Sequence, residues 1–451
     1  MTELAFSTIP ELGALLRSRA VSAVELAGAA LDRLETLGPR YGAVTAVLRE
    51  RALREARVRD RELAAGRIRG PLHGIPFGVK ALLAVAGDDA AADATAVTRL
   101  GDAGAVLCAR LAMVEAGGAM GCAVPSAPTA LTPWGEDRWA GGSSSGSAAA
   151  VAAGLLPFTL GSETWGSIQV PAACCGVTGL RPTYGRVSRS GATALSWTMD
   201  KIGPFARTAE DCGLVLGALA GPDPRDPTAL AHYFTAPART GARRRYRLGV
   251  LRGSRERLQH EVLANFEAAL AVLRGFAEVV EDVTLPDYPW EALASTIVDA
   301  EAASVLEELG ERPGGGAGLP EDGVGGRPGR RAVLATEYIR ALRLRQPSAL
   351  ALDTVLRQFD GIVGPSLPTV AWPAGSTPED AYPAYAGGTC IGGAANLAGV
   401  PGLFLMSGTG EAGLPTGIQL TGRALGEAAL VTVAMRYQER TDHHRRRPPG
   451  L

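Results

Sequence analysis

The sequence predicts an α/β fold, and three observations carry that prediction. Short apolar runs alternate with helix-patterned stretches along most of the 451 residues. Apolar residues make up 46% and charged residues 20%, ordinary proportions for a globular chain. A chain of this length buries a sizeable core, either as one large α/β domain or as two or three average ones.

Taken in order, Ser22-Ala23-Val24-Glu25 has the form of a capping box and opens a helix to about residue 37. Residues 44–65, rich in Arg, Glu, Ala and Leu, read as a second helix closed by Gly66, so that 1–70 form a helical N-terminal part. Ile75-Pro76-Phe77-Gly78-Val79 reads as a short buried strand ending at Lys80. Residues 93–103 follow as a helix and 105–108 as a buried strand. Residues 147–153 form a short alanine-rich helix, and 155–160 read as the strand that delivers the next loop. The run 176–185 is turn-rich and marks loop structure. The strand 248–251 and the amphipathic helix 261–276 continue the alternation beyond the chemically interesting stretch 71–220. Residues 312–331 are Gly/Pro-rich without apolar period and predict a flexible loop. A helix at 337–345, a strand at 361–363, a helix at 394–399 and strands at 402–406 and 418–420 complete the order. No fixed-period repeat runs through the chain.

Composition excludes several classes of function. A formal net charge of −1 gives no electrostatic footprint for nucleic acid or an anionic membrane. The arginine clusters at 243–245 and 445–447 are short, lack interleaved aromatics, and read as solvated surface. Six cysteines without CxxC spacing argue against a zinc site or a disulfide framework and fit buried free thiols in a reducing cytoplasm. The start Met1-Thr2-Glu3-Leu4 lacks the basic region of a signal peptide. The longest small-apolar run, 147–160, is interrupted by Gly154 and Pro157 and is too short to span a bilayer.

The most informative anomaly is lysine. Of 45 basic residues only Lys80 and Lys201 are lysine. Guanidinium stays protonated in proteins, whereas a buried ammonium can lose its proton and act as a base. Lys80 at the end of an apolar strand is therefore a candidate base, and Lys201 a candidate for a structural ion pair with a nearby acid. Two serine-bearing glycine loops follow, Gly141-Gly142-Ser143-Ser144-Ser145-Gly146-Ser147 and Gly161-Ser162-Glu163-Thr164-Trp165-Gly166-Ser167. A deprotonatable lysine with hydroxyls on glycine-shaped backbone suits acyl transfer without histidine.

Competing motifs are weaker. Gly142 to Gly146 matches GxSxG, but the polar, turn-like stretch before it is not the strand that a nucleophile elbow needs. His443-His444 cannot close a metal site alone and reads as a solvated tail. Cys174-Cys175 has no histidine near it in sequence and reads as small buried thiols.

Several segments standing in one order make the chain resemble the amidase signature family over nearly all its length. They are 141–147, 161–171, 175–188, 200–204, Asn396-Leu397-Ala398-Gly399-Val400-Pro401 and Gly413-Leu414-Pro415-Thr416-Gly417-Ile418-Gln419. The resemblance implies one large α/β domain over residues 1–451, with a twisted mixed sheet between helical layers. It implies a triad of Lys80, Ser143 as a serine on a cis peptide, and Ser167 as nucleophile. Backbone N–H groups of Thr164, Trp165, Gly166 and Ser167 would form the oxyanion hole. The expected activity is hydrolysis of a small-molecule amide through an acyl-serine intermediate, with no metal and no organic cofactor. A homodimer is compatible with it. Two alternatives accompany this reading: a degenerate member serving as a binding or scaffold subunit, and a glutaminase-type subunit like that of the tRNA-dependent amidotransferase.

The chain also departs from the family pattern. Lys80 is followed by Ala81-Leu82-Leu83 instead of an acidic residue and a Gly/Thr-rich loop, and the segment to Asp93 is short, so the site is more open, reshaped or inactive. Trp165 stands where many members have Gly, which predicts an indole crowding or lining the acyl pocket. Gln169 replaces a frequent Arg and argues against a carboxylate anchor there. The 312–331 region looks curtailed.

Overall fold

The computed structural model describes residues 4–87, 90–114, 130–238, 245–310, 333–385, 391–410 and 412–451. Its strands in chain order are β1 (Val44–Val47), β2 (Pro76–Lys80), β3 (Val106–Leu111), β4 (Phe158–Glu163), β5 (Thr178–Arg181) and β6 (Lys201–Ala206). They continue with β7 (Tyr246–Leu251), β8 (Ala277–Val283), β9 (Gly361–Pro365), β10 (Gly402–Thr409) and β11 (Pro415–Thr421). All join one sheet in the spatial order β1-β3-β2-β4-β6-β5-β10-β11-β9-β7-β8. The sheet is mixed: β2 runs parallel to both β3 and β4, and β7 to both β8 and β9, while the other pairings are antiparallel. Every residue of β2, β6, β9 and β11 is buried, so both faces of the central sheet are covered.

The helices are α1 (Ile9–Arg17), α2 (Ala23–Thr36), α3 (Arg49–Ala64), α4 (Thr95–Asp102), α5 (Ser145–Ala152), α6 (Gln169–Cys175) and α7 (Ala209–Leu219). The second half adds α8 (His260–Arg274), α9 (Trp290–Gly310), α10 (Ala335–Leu356), α11 (Pro378–Ala381), α12 (Gly392–Ala398) and α13 (Glu427–Gln438). The Ser22–Glu25 capping box opens α2 as the sequence predicts. One continuous apolar core joins the N-terminal helices to the sheet, α7, α8 and α13. A single α/β domain results, with a large mixed sheet flanked by helices. Helix α5 is buried on every side, which its Ser, Gly, Ala and Val side chains permit by letting neighbouring backbone approach closely.

Several elements differ from the sequence reading. Residues 44–65 are not one helix: Val44–Val47 pair with β3 before α3 begins at Arg49. The apolar partner edge captures a segment whose local composition favours helix. The turn-rich run 176–185 contains β5, which pairs with β6 and β10. Strands β6 and β8 have no counterpart in the sequence reading. The C-terminal tail is docked, not simply solvated: Arg207 donates to the carbonyls of His444 and Arg446, and burial pulls His444 down to about 4. The predicted loop at 312–331, Cys122 and Cys390 lie outside the described residues; Cys108, Cys174, Cys175 and Cys212 are free and buried. Burial pushes the Cys175 thiol up to about 12, as expected of an inert core thiol. No helix among the described residues is long and apolar enough to cross a membrane.

Candidate active site

Lys80 is the last residue of β2, and its side chain is completely buried. Parallel pairing sets Val79 opposite Leu160 in β4, and the strands then carry Lys80 and Ser162 to one place. There Lys80 Nζ lies 2.6 Å from Ser143 Oγ and 2.9 Å from Ser162 Oγ. No carboxylate lies within ion-pair distance of this amine among the described residues. Burial pulls Lys80 down to about 7, while the more distant negative charges of Asp200 and Glu163 oppose the shift. An amine held this far below the ordinary lysine range can lose its proton near neutrality, and two hydroxyls lie within reach to exchange it.

Ser143 arrives on the loop before α5, where the Gly142–Ser143 peptide bond is cis. Its carbonyl accepts from Val114 N at 3.0 Å, which ties the loop to the segment after β3. Gly141 has φ 81°, and a Cβ there would sit 2.6 Å from Pro171 Cα. The loop therefore runs directly against the start of α6.

Ser167 lies on the turn between β4 and α6 and is 4% exposed. Gly166 adopts φ 84°, the left-handed conformation that lets this turn fold back. Among the described residues, the N–H groups of Trp165, Gly166 and Ser167 have no protein acceptor, whereas those of Ile168 and Gln169 both donate to Glu163 Oε2. Three successive free donors on a positive-φ turn are suited to hold an oxyanion.

The turn is braced from behind. Glu163 Oε1 accepts from Arg181 at 2.6 Å in a pair with both side chains buried. That guanidinium, Lys201 and the Gln169 N–H hold the Glu163 carboxyl down at about 2 against burial. Asp200 accepts from the Thr164 hydroxyl and from the N–H groups of Leu195 and Ser196. Lys201 donates to the Thr164 carbonyl at 3.2 Å and to Asn396 Oδ1 at 2.8 Å. The expected Lys201 ion pair is thus replaced by hydrogen bonds, with Glu163 and Asp200 acting on it only through space. Its place on β6 aims it at a carbonyl and an amide, not at a carboxylate.

A cavity of about 250 Å³ opens beside Ser143, Ser162 and Thr164. Its walls include Leu82, Val114, Leu195 and Ile202, with Trp197 at the rim. Trp165 does not line it, against the sequence expectation: the indole packs on the cluster of Met199, Ile297, Val298 and Leu397. Packing on that cluster half-buries the ring. Gln169 is likewise structural; its amide donates to the Ser366 carbonyl at 2.6 Å. Ser162 and Asp200 are the site residues that the sequence reading misses. Only their places in the 161–171 and 200–204 segments hint at them.

Comparison with known proteins agrees with this picture. The amidase family model matches residues 25–431. The chain is 38% identical to the A subunit of glutamyl-tRNA(Gln) amidotransferase from Roseiflexus sp. (strain RS-1), covering 99% of each protein. That alignment runs over 487 positions against 451 residues here, so the relative carries segments this chain lacks. The native peptide amidase of Stenotrophomonas maltophilia superposes with a TM-score of 0.82 at 31% identity over 98% of both chains. The corresponding amidotransferase protein of Thermotoga maritima superposes with a TM-score of 0.78 at 25% identity over 97% of this chain and 95% of that one. With the mixed sheet, the cis Gly142–Ser143 bond and the Lys80–Ser143 contact already in place, these matches identify the chain as a member of the amidase family.

Proposed function

We propose that the protein is an amidohydrolase that cleaves the C–N bond of a small-molecule amide through an acyl intermediate on Ser167. The observation that carries this reading is the fully buried Lys80 amine, held near pKa 7 and 2.6 Å from the Ser143 hydroxyl beside a cavity. Ser167 Oγ attacks the amide carbonyl carbon while its proton passes to Ser143 Oγ, whose own proton passes to neutral Lys80. The carbonyl π pair moves onto oxygen, where the N–H groups of Trp165, Gly166 and Ser167 receive it. Collapse of this adduct breaks the C–N bond, and the proton held by Lys80 returns through Ser143 to the leaving nitrogen. Water then repeats the sequence on the ester, with Lys80 again taking and returning the proton.

A second reading is favoured by one observation, the 38% identity to an amidotransferase protein over 99% of both chains. In that reading the chain releases ammonia from glutamine beside a protein partner. A third, the scaffold reading, requires a dead site, and the retained Lys80, Ser143 and Ser167 weigh against it. The test is labelling by a fluorophosphonate probe, with peptide mapping, on the wild-type protein and Ser167→Ala. Labelling at Ser167 that is lost in the variant, together with turnover of an aryl amide by the isolated chain, supports the leading reading. Equal labelling of both proteins overturns it. Turnover of glutamine only in a co-purified complex supports the second.

A further inference from the structure

We infer that the amide cleaved here carries an uncharged, apolar acyl portion, and that free amino acids such as glutamine are not its substrates. The inference rests on the acyl-Ser167 reading above and concerns what the cavity accepts.

Every charged side chain that reaches this cavity among the described residues is already engaged by the protein. Arg189 donates to Tyr184 Oη at 3.0 Å, to Thr228 Oγ1 at 2.8 Å and to the Trp197 carbonyl, with the Asp226 carboxylate 3.8 Å from its Nε. Arg225 donates to Thr95 Oγ1 at 2.7 Å and stands 3.5 Å from Asp223, whose carboxylate is held below its ordinary range by Ser188, Thr95 and that guanidinium. Arg189 is thus held in the wall with Asp226 beside it, and Arg225 stands at the more exposed side with its Nε facing Asp223. Asp200 engages its two oxygens with Thr164, Leu195 N and Ser196 N. At the point where the sequence has lost an arginine, Gln169 is turned away to the Ser366 carbonyl.

Most of the remaining lining is apolar: Leu82, Val114, Ala192, Leu195 and Ile202 form the wall, and the hydroxyls of Ser143, Ser162 and Thr164 line the end beside Lys80. A carboxylate entering this space leaves water and finds each guanidinium already facing a carboxylate; an ammonium finds the Asp200 oxygens already accepting from Thr164, Leu195 N and Ser196 N. A zwitterion such as glutamine suffers both losses. An alkyl or aryl acyl group gains from the same desolvation. The volume of about 250 Å³ accommodates a group of benzyl or pentyl size beside the Ser143 and Ser162 hydroxyls.

The experiment measures protection of Ser167 from fluorophosphonate labelling, and ammonia release, with hexanamide, phenylacetamide, succinamate and L-glutamine. Hexanamide and phenylacetamide are expected to protect and turn over about 100-fold more effectively than succinamate or glutamine. Thr193→Arg, which adds an unpaired guanidinium at the exposed cavity lining, is expected to raise the succinamate-to-hexanamide ratio about fivefold or more. Equal or better protection by succinamate or glutamine, or no protection by either neutral amide, overturns the substrate assignment while labelling of Ser167 still supports the hydrolase. Absence of Ser167 labelling overturns both.

Discussion

Lys80 and Ser143 meet at 2.6 Å although 63 positions separate them, and one comes from a buried strand while the other comes from the loop before a buried helix. Their contact joins the parallel half of the sheet to the helix that packs over it. The chemistry proposed for the site depends on this contact staying dry.

Burial pulls Lys80 down to about 7, and with Lys80 as the proposed base, activity is expected to rise with pH through that value. The neutral amine is the working form, so kcat/KM should fall about tenfold per pH unit below the transition and flatten above it. A pH–rate profile checks this; a profile flat between pH 5 and 8 contradicts it. Lys80→Arg, which cannot deprotonate, should lower kcat by about 1,000-fold or more.

Glu163→Gln should destabilise the fold as well as the site. The substitution leaves Arg181 buried without its counter-ion and weakens the acceptor shared by Ile168 N and Gln169 N. Removing one partner of a buried ion pair costs about 3–5 kcal/mol. Chemical denaturation of the wild type and the variant measures the difference, and a change within about 0.5 kcal/mol would count against the bracing role.

Lys201→Met tests whether the turn is held from behind. The variant loses the bonds to the Thr164 carbonyl and to Asn396 Oδ1 and leaves Lys80, Ser143 and Ser167 unchanged. We expect kcat to fall about 10- to 100-fold with KM nearly unchanged, since the oxyanion donors act on the transition state. Steady-state kinetics on a neutral amide separates this from a loss of binding, which would appear in KM.

Asp211 gives a stability prediction remote from the site. It is buried, its Oδ1 accepts from Ile9 N at 2.9 Å, and its Oδ2 has no partner among the described residues. Burial raises its pKa from 3.8 to about 7, so the folded chain keeps a proton that the unfolded chain releases. The stability tied to this group is complete below about pH 4 and disappears as pH rises through about 7. Asp211→Asn should therefore raise Tm at pH 8 by about 2–4 °C and leave it little changed at pH 4. Thermal melts at both values decide the matter.

The parts of this molecule legible in the sequence are those with a local signature. Lysine scarcity singles out Lys80, and the first serine-bearing glycine loop brings Ser143 to it in space; the part given to Ser167 belongs to the proposed mechanism. Ser162 is invisible at that level because its role comes from the β2–β4 register, a relation between residues that are 82 positions apart. Strand β6 is hidden by Lys201, Gly203 and Pro204, which locally argue against a central strand although it is paired on both sides. Strand β1 merges into the helical pattern that follows it, since four residues give too short an alternation to register. Trp165 misleads for a related reason: its neighbours in sequence are site residues, but its neighbours in space belong to α9 and α12.

Strand β2 is clamped by β3 on one side and β4 on the other, and Lys80 is its final residue. The amine is thus fixed by what precedes it in the chain. Beyond it, Leu82 contributes to the cavity wall without belonging to the strand. This arrangement divides the work at a single peptide bond: rewriting the segment after Lys80 can reshape the cavity wall while the buried amine stays where it was.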